Sequence, residues 1–407
     1  MDSGLRNYLV ITASYWAFTL TDGAIRMLVV LYFHLLGYTP FEVAMLFLFY
    51  EFFGIVTNLA GGWLGARIGL NYTMHLGMGL QIVALAMLAV PDAWLTVAYV
   101  MTAQALSGIA KDLNKMSAKA GVKTVVPRGR ESRLFKWVAL LTGSKNALKG
   151  AGFFLGALLL QMAGFRGAML ILAGGLLVIL MTSALLLPRG LGRARRKPAF
   201  SQLFSIHPAI NWLSAARFFL FGARDIWFVV ALPVYLYAVL GWSFTQVGGF
   251  LAGWVILYGI VQACVPAMVR RGRHGMGPDG GTARLWAFVL MLLPAAIALA
   301  LQQGLEPGLV IITGLLLFGV VFAINSAVHS YLIIAWAEHD KVSLNVGFYY
   351  MANAAGRLTG TVLSGWIYQT QGLTGCLWWS AAFVLSAFLI SLRLPEQPGG
   401  FPGNARG

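Results

Sequence analysis

Leu36-Gly37-Tyr38-Thr39-Pro40-Phe41-Glu42-Val43 returns in altered form as Leu240-Gly241-Trp242-Ser243-Phe244-Thr245-Gln246-Val247. The order of glycine, aromatic and hydroxyl residue is kept at a constant offset, and at that offset Asn58 falls opposite Gln262. Each stretch separates two long apolar runs. A chain that repeats itself this way divides into two related halves, here expected to be parallel repeats about an axis along a membrane normal.

The runs themselves put the chain in a membrane. Hydrophobic residues make up 59% of the 407 and charged residues only 10%, where a soluble domain carries roughly a quarter. Runs of around 20 apolar residues recur from end to end, each long enough to cross a ~30 Å hydrocarbon layer as a helix. The net charge of +16 does not indicate a nucleic-acid partner, because the basic residues lie in short segments between apolar runs, where they set topology. The first apolar run is too long, and the segment before it too short, for a cleaved signal peptide, so it is expected to be retained. Cys264 and Cys376 offer neither a disulfide framework nor a CxxC pair.

The expected spans are 8–34, 40–66, 73–90, 93–114, 134–162, 168–188, 208–239, 243–269, 284–302, 308–334, 343–369 and 374–392. Turn residues mark several breaks, among them Gly37 to Pro40, Pro91-Asp92 and Gly164-Phe165-Arg166-Gly167. Twelve spans place both termini on one side. One set of connections carries Arg6, Arg67, the basic segments 115–136 and 189–197, Arg270, Arg271, Arg273, Lys341 and Arg393; the other carries Arg166. That asymmetry assigns the basic set, with both termini, to the cytoplasm. The basic stretch 115–133 is expected to be a cytoplasmic helix or a helical extension.

Gly62-Trp63-Leu64-Gly65-Ala66-Arg67-Ile68-Gly69 resembles the cytoplasmic loop motif of the major facilitator superfamily, with Ala66 where an Asp is usual. The resemblance implies an all-α membrane fold of two six-helix halves, with a substrate site near the midplane between them. The halves are then 1–188 and 208–393, joined by a basic cytoplasmic linker, 189–207, and followed by a disordered tail, 394–407. Arg67 would belong to a gating cluster at the cytoplasmic end, although the altered motif weakens that role.

Charge inside the spans is costly, about 2.5 kcal/mol or more per group at the centre of a helix. Six cations nevertheless lie there, Arg26, Lys145, Lys149, Arg217, Arg224 and Arg357, against three acids, Asp22, Glu51 and Asp225. Structural pairing alone would tend toward balance, so the surplus implies an anionic partner. The polar residues follow helical spacing: Tyr15, Thr19, Asp22 and Arg26; Thr142, Lys145, Asn146 and Lys149; Asn325, Ser326 and His329; Asn345, Tyr349, Asn353 and Arg357. The third, sixth, ninth and twelfth spans are almost bare of charge, as lipid-facing supports would be. Arg26 and Arg224 sit at comparable depth in the first helix of each half, and two guanidiniums suit a phosphate-like oxyanion, each fork donating two parallel hydrogen bonds. Arg26, Lys145, Lys149, Arg224 and Arg357, with Tyr349 and Asn353, form the expected binding set.

Blander readings compete. Asp22 and Arg26, four residues apart, can neutralise each other. Asp225 points about 100° away from Arg224 on a helix, so its expected partner is on another helix. Arg217, near the start of its span, can snorkel to the cytoplasmic surface. Lys111, Asp112 and Lys115 read as a gate or surface cluster at the cytoplasmic end, and His329 as a satisfied packing residue. For energy coupling no GxxxxGK[ST] motif exists. A desolvated carboxyl can hold a proton near neutral pH; Glu51, mid-helix with no obvious local cation, is the first candidate and Asp22 the second. No cofactor or metal is implied.

Longer stretches carry a narrower resemblance. Thr19-Leu20-Thr21-Asp22-Gly23-Ala24-Ile25-Arg26-Met27-Leu28, Phe47-Leu48-Phe49-Tyr50-Glu51-Phe52-Phe53-Gly54 and Leu106-Ser107-Gly108-Ile109-Ala110-Lys111-Asp112-Leu113-Asn114-Lys115-Met116 resemble the organoarsenical efflux permeases (ArsJ type). So do Gly143-Ser144-Lys145-Asn146-Ala147-Leu148-Lys149-Gly150 and Phe221-Gly222-Ala223-Arg224-Asp225-Ile226-Trp227. The resemblance spans residues 6 to about 393. It implies export of 1-arseno-3-phosphoglycerate across a bacterial inner membrane, conferring arsenate resistance in partnership with a glyceraldehyde-3-phosphate dehydrogenase that makes it. Two distant cysteines do not suit trivalent arsenic, whereas surplus Arg and Lys suit a pentavalent oxyanion. An exchanger of ordinary organic phosphates, such as phosphoglycerate or glycerol phosphate, is the alternative. A membrane-embedded enzyme is disfavoured, since His34, His75, His207, His274 and His339 lie at span ends or in loops. A signalling receptor would need an output domain the sequence does not display.

Overall fold

Helix ends form where the sequence supplies the groups to satisfy them. In the computed structural model, which describes residues 3–125, 131–188, 208–272, 278–336 and 342–396, helix α1 (Ser3–Leu35) stops at Gly37. A φ of +86° there, free of strain without a Cβ, lets Gly37 and Tyr38 donate their N–H groups back to His34 and Phe33, each at 3.1 Å. Thr39 then caps α2 (Pro40–Met45): its hydroxyl accepts from Glu42 N–H, and the Glu42 carboxylate accepts from Thr39 N–H at 2.8 Å. The second quoted stretch does the same. Gly241 has φ +69°, Ser243 N–H donates to Gln246 Oε1 at 2.8 Å, and Gln246 N–H donates to Ser243 Oγ at 3.2 Å. The repeat therefore extends to a reciprocal helix cap, through the Glu or Gln three residues after the hydroxyl.

The remaining helices are α3 (Leu48–Ile68), α4 (Leu70–Leu88), α5 (Val97–Val125), α6 (Glu131–Leu186), α7 (Pro208–Phe228), α8 (Ala231–Ala238), α9 (Phe244–Gly272), α10 (Gly280–Gln302), α11 (Pro307–Trp336) and α12 (Val342–Ser391). No strand occurs among the described residues. Among the described residues eight segments are long and apolar enough to cross a membrane, against twelve expected. Two of the eight, 144–186 and 348–391, run to 43 and 44 residues, about twice what one crossing needs. Each contains one non-helical residue, Gly164 (φ 68°, ψ 178°) in α6 and Gly372 (φ 67°, ψ −169°) in α12. These are nearly the same backbone conformation, at the positions where the sequence separates two spans. The more polar α4 and α5 lie outside the eight. The basic stretch after residue 115 begins as a continuation of α5 to Val125. The expected linker 189–207 lies outside the described residues, as does most of the expected tail, from 397 onward.

Two expected spans are broken rather than continuous. Residues 40–66 divide between α2 and α3, and 208–239 between α7 and α8. Broken backbone at membrane depth must find new hydrogen-bond partners. Ser364 of α12 supplies them for α8, its Oγ accepting from the N–H groups of Val230 (3.3 Å) and Ala231 (3.1 Å).

The chain forms two compact units, Met1–Phe200 with Pro233–Gly259, and Ser201–Leu232 with Ile260–Gly407. In the first, α1 packs along α6, and α5 lies against α3 and α4. Ile11, Tyr15 and Phe18 of α1 join Met74 and Met78 of α4, Ala110 of α5 and Leu176 of α6 in one core. In the second, α7 packs along α12, and α10 against α11 and α12; Ile210 and Leu213 meet Val328, Leu332 and Tyr349. Glycines set both close packings. A Cβ at Gly23 would stand 2.6 Å from the Lys149 carbonyl and 3.1 Å from Gly152 Cα, and one at Gly356 would collide with the Phe218 carbonyl. Large apolar side chains lie bare along α4 (Tyr72, Leu76, Val83), late α6 (Leu177, Val178, Met181), α10 (Leu285, Phe288, Leu292) and late α12 (Trp378, Trp379, Leu389). These are the charge-poor segments, and so much exposed apolar surface fits lipid, not water.

Candidate functional site

Charge is gathered into one interior cluster in the first unit and a pair of adjoining polar sets in the second. In the first, Arg26 Nη2 of α1 donates to Glu51 Oε1 of α3 at 2.8 Å, and Lys111 Nζ of α5 stands 3.9 Å from Glu51 Oε2. Lys111 is also 3.8 Å from Asp112, which Lys115 approaches at 3.3 Å. Lys115 donates to Asn58 Oδ1 at 2.7 Å. On the other side of Arg26, Asp22 accepts from Tyr50 OH at 2.5 Å and faces Lys149 Nζ of α6 at 3.7 Å. Tyr50 joins the two branches, for its ring also carries Arg26 at 5.0 Å and Lys111 at 4.1 Å from the centroid, geometry suited to cation–π attraction. Lys145, one turn before Lys149, is half-buried.

Local structure explains part of this. Glu51 falls in the first turn of α3, just after the break that separates α2 from α3. The positive end of the helix dipole favours a carboxylate there.

In the second unit Asp225 of α7 accepts from Arg224 Nε at 2.6 Å and from Arg357 Nε of α12 at 3.1 Å. Two turns earlier, Arg217 donates through Nε to Asn353 Oδ1 (2.9 Å) and through Nη1 to the Ser326 carbonyl (3.3 Å). Phe221 stands between the two arginines, its ring centroid 3.8 Å from the Arg217 guanidinium carbon and 5.1 Å from that of Arg224. Gln262 Nε2 bonds Ser326 Oγ at 3.3 Å. Asn58 and Gln262, opposite each other in the repeat, thus each tie their helix to the one carrying interior polar residues, α5 and α11.

The signs of the open and closed surfaces differ. The carboxylates of Glu51, Asp112, Asp22 and Asp225 are 0–6% exposed, whereas Lys111, Lys115, Lys149, Arg224 and Arg357 keep 13–18%. Three of the four carboxylates are each shared by two cations. In the first unit Arg26, Lys111, Lys115 and Lys149 stand against Asp22, Glu51 and Asp112, and in the second Arg224 and Arg357 stand against Asp225. Among the described residues each ion-paired set thus keeps one more positive charge than negative, before Lys145 and Arg217 are added. A neighbouring carboxylate offsets the cost of burying a cation, but these carboxylates are too few to neutralise the surface that stays open.

These contacts refine or correct several sequence expectations. Glu51 does have cations beside it, Arg26 and Lys111, supplied by other helices. Asp22 has Lys149 of α6 at ion-pair distance, and Arg26 bonds Glu51. Asp225 does reach another helix, at Arg357, but also its neighbour Arg224, because a long guanidinium arm swings back across the ~100° between adjacent positions. Arg217 does not snorkel; it is 5% exposed and bound by Asn353 and Ser326. His329 is buried, and among the described residues its Nδ1 has no hydrogen-bond partner. The Lys111–Asp112–Lys115 group is interior, not a surface cluster, and continues from Glu51. Asn353 joins Arg217, and the Tyr349 ring centroid lies 5.2 Å from the same guanidinium, so both stand beside Arg217. The side chains of Arg67 and Asn345 lie outside the described residues.

No curated protein matches the sequence. Solved structures match its fold. A POT family transporter in complex with a thioalcohol-conjugated peptide superposes with a TM-score of 0.75 at 14% identity, covering 95% of this chain and 96% of that one. The peptide transporter POT in complex with sulfate gives 0.74 at 14%, covering 95% and 94%. A bacterial homologue of the iron transporter ferroportin, in an outward-facing state, gives 0.65 at 17%, covering 97% and 99%. At such identities the likeness concerns the fold alone. The sequence itself matches the family description Major Facilitator Superfamily over residues 10–332, and this chain, a multi-pass membrane transporter, belongs to that superfamily.

Proposed function

We propose that the protein is a secondary carrier of a phosphorylated organic anion, and that this anion is the organoarsenical 1-arseno-3-phosphoglycerate, exported by alternating access to give arsenate resistance. One observation carries the anion: sealed, shared carboxylates beside Arg and Lys side chains that stay open. Guanidinium forks match phosphate and arsenate oxygens, and lysines add point charge. Lys145, Lys149, Arg224 and Arg357 would hold the anion together with Arg26, which is only 6% exposed while paired with Glu51 and would have to leave it, and Tyr349 and Asn353 would contribute through Arg217. The arsenical identity rests on the sequence resemblance to organoarsenical efflux permeases, with a glyceraldehyde-3-phosphate dehydrogenase as the source of substrate.

Proton uptake by Glu51, or by Asp22, would release Arg26 and Lys111, or Lys149, from its carboxylate and so couple charge to the anion. In this reading α6 and α12 each cross twice, turning at Gly164 and Gly372. With α4 and α5 also crossing, the chain spans the bacterial inner membrane twelve times, in halves 1–188 and 208–393, with both termini in the cytoplasm. Lys111, Asp112, Lys115 and Arg67 then lead from the site toward the cytoplasmic end.

The test is arsenate resistance in sensitive cells expressing the chain, with and without the dehydrogenase. Resistance is expected only with the dehydrogenase, and is lost in Arg26→Ala and Arg224→Ala. Resistance that ignores the dehydrogenase would remove the arsenical. Transport of 3-phosphoglycerate without any resistance would favour the ordinary organic-phosphate exchanger, a reading the same open cations support. Full transport by both arginine variants would remove the anion site.

A further inference from the structure

Arg217 is a buried cation whose bonds are all to neutral groups. Its Nε and Nη1 donate to the Asn353 amide oxygen and the Ser326 carbonyl, and its guanidinium lies over Phe221 and near Tyr349. Among the described residues no carboxylate stands within ion-pair distance of it, in contrast to Arg224 and Arg357. His329 follows Ser326, whose carbonyl Arg217 binds, by three residues on the same face of α11. It is 1% exposed, and its Nδ1 has no hydrogen-bond partner. Among the described residues the other elements packed here add nothing negative. α7 brings Arg217 and Ser214, α9 brings neutral Gln262, α12 brings Tyr349 and Asn353, and α10 brings Ala283 and Trp286.

We propose that Arg217 and His329 form a second anion site, one that takes up an oxyanion or carboxylate group together with a proton. The proposal rests on the anion-carrier reading and adds a coupling group to it. With the site empty, a proton on His329 would place two positive charges together in a dry interior with no carboxylate nearby, at high cost. An anion beside the guanidinium removes that cost, so the proton then goes to Nδ1, whose N–H can donate to the anion. By linkage the proton strengthens anion binding to the same degree. Neither Glu51 nor Asp22 has this property, because each already faces cations without the ligand.

Sulfate tests this, since its charge is constant across the useful pH range. Its affinity for the purified full-length protein in detergent is measured by calorimetry at pH 8 and pH 6, with monodispersity checked for every variant. Wild type is expected to bind about tenfold more tightly at pH 6, a coupling in the usual range. His329→Gln is expected to bind with little pH dependence, Arg217→Gln to bind at least about tenfold more weakly at pH 6, within the same range, and Arg217→Lys to keep the pH dependence. Sulfate binding whose pH dependence survives in His329→Gln overturns the proposal and leaves the anion carrier standing. Failure of both sulfate and 3-phosphoglycerate to bind overturns both. If the site holds, 3-phosphoglycerate that displaces sulfate identifies the anion as part of the carried solute, and simultaneous binding identifies a free ion.

Discussion

Arg26 and Glu51 meet at 2.8 Å, α1 to α3, in surroundings where the carboxylate is wholly buried. The pair is not self-contained. Glu51 also faces Lys111 at 3.9 Å, and the Arg26 guanidinium carbon lies 5.1 Å and 5.0 Å from the ring centroids of Phe47 and Tyr50. One carboxylate thus keeps two cations in place on three helices. The acid works as scaffold for a positive surface.

Glu51→Gln keeps the shape of the side chain and removes that scaffold. Arg26 and Lys111 are left as neighbouring like charges, and losing one partner of a buried pair costs about 3–5 kcal/mol. The purified variant is expected to melt several degrees lower in detergent and to lose pH-driven transport. An unchanged melting curve would show that Glu51 is protonated and not part of an ion pair.

Arg357 and Arg224 share Asp225 but differ in what they keep without it. Asp225→Asn should raise affinity for sulfate or phosphoglycerate while lowering thermal stability, because it frees both guanidiniums at the cost of a buried partner. Arg224→Ala and Arg357→Ala should each cut transport at least about tenfold, the loss of one charge-assisted bond at roughly 1.5–3 kcal/mol. Arg357→Lys retains charge without the fork and should fall between. Equal activity in wild type and both alanine variants would contradict the assignment.

Sequence and structure agree where a local backbone demand leaves a mark. Gly37 and Gly241, Gly164 and Gly372 all stand at positive φ, where the sequence places breaks between spans, because only a residue without Cβ turns there cheaply. Periodicity likewise brought out the polar stripes on α1, α6, α11 and α12. What it could not supply is who meets whom between helices. Glu51 has no cation within a turn in sequence, yet Arg26 and Lys111 reach it from positions 25 and 60 residues away. Arg217 looked like a surface-seeking arginine because distance along its helix was the only guide; Asn353 and Ser326 hold it inward from α12 and α11. The breaks after Leu46 and near Val230 escaped as well: no proline or glycine marks the first, while at the second Pro233 cannot bond back to Val229 and Ser364 meets the cost from another helix.

Tyr50 links the two branches of the first cluster, and its two functions can be separated. Tyr50→Phe keeps the ring under Arg26 and Lys111 but deletes the hydroxyl that donates to Asp22. A lost hydrogen bond to a charged group is worth about 1.5–3 kcal/mol, so transport is expected to fall with folding intact. Tyr50→Leu also removes cation–π contacts of about 0.5–2 kcal/mol each and should melt lower than Tyr50→Phe. Identical melting of the two would mean that the ring contributes nothing to holding the cations.

Close helix contact makes the last prediction the most sensitive to geometry. Gly356 of α12 faces the Phe218 carbonyl of α7, and Gly23 of α1 lies against Gly152 of α6; a methyl at Gly23 or Gly356 enters space already filled by backbone. Backbone cannot rotate aside as a side chain can, so Gly356→Ala and Gly23→Ala should each cost about 1–3 kcal/mol through overpacking. The displacement would also move Arg357 relative to Asp225, and Lys149 relative to Asp22. Gly174, in the lipid-exposed part of α6, has nothing within 4 Å of a built Cβ. Gly174→Ala should gain up to about 1 kcal/mol from helix propensity alone. Melting temperatures of the three variants, read beside their sulfate affinities, decide the matter. If Gly356→Ala melts like wild type and binds sulfate unchanged, α7 and α12 are not in the close contact that positions Arg357.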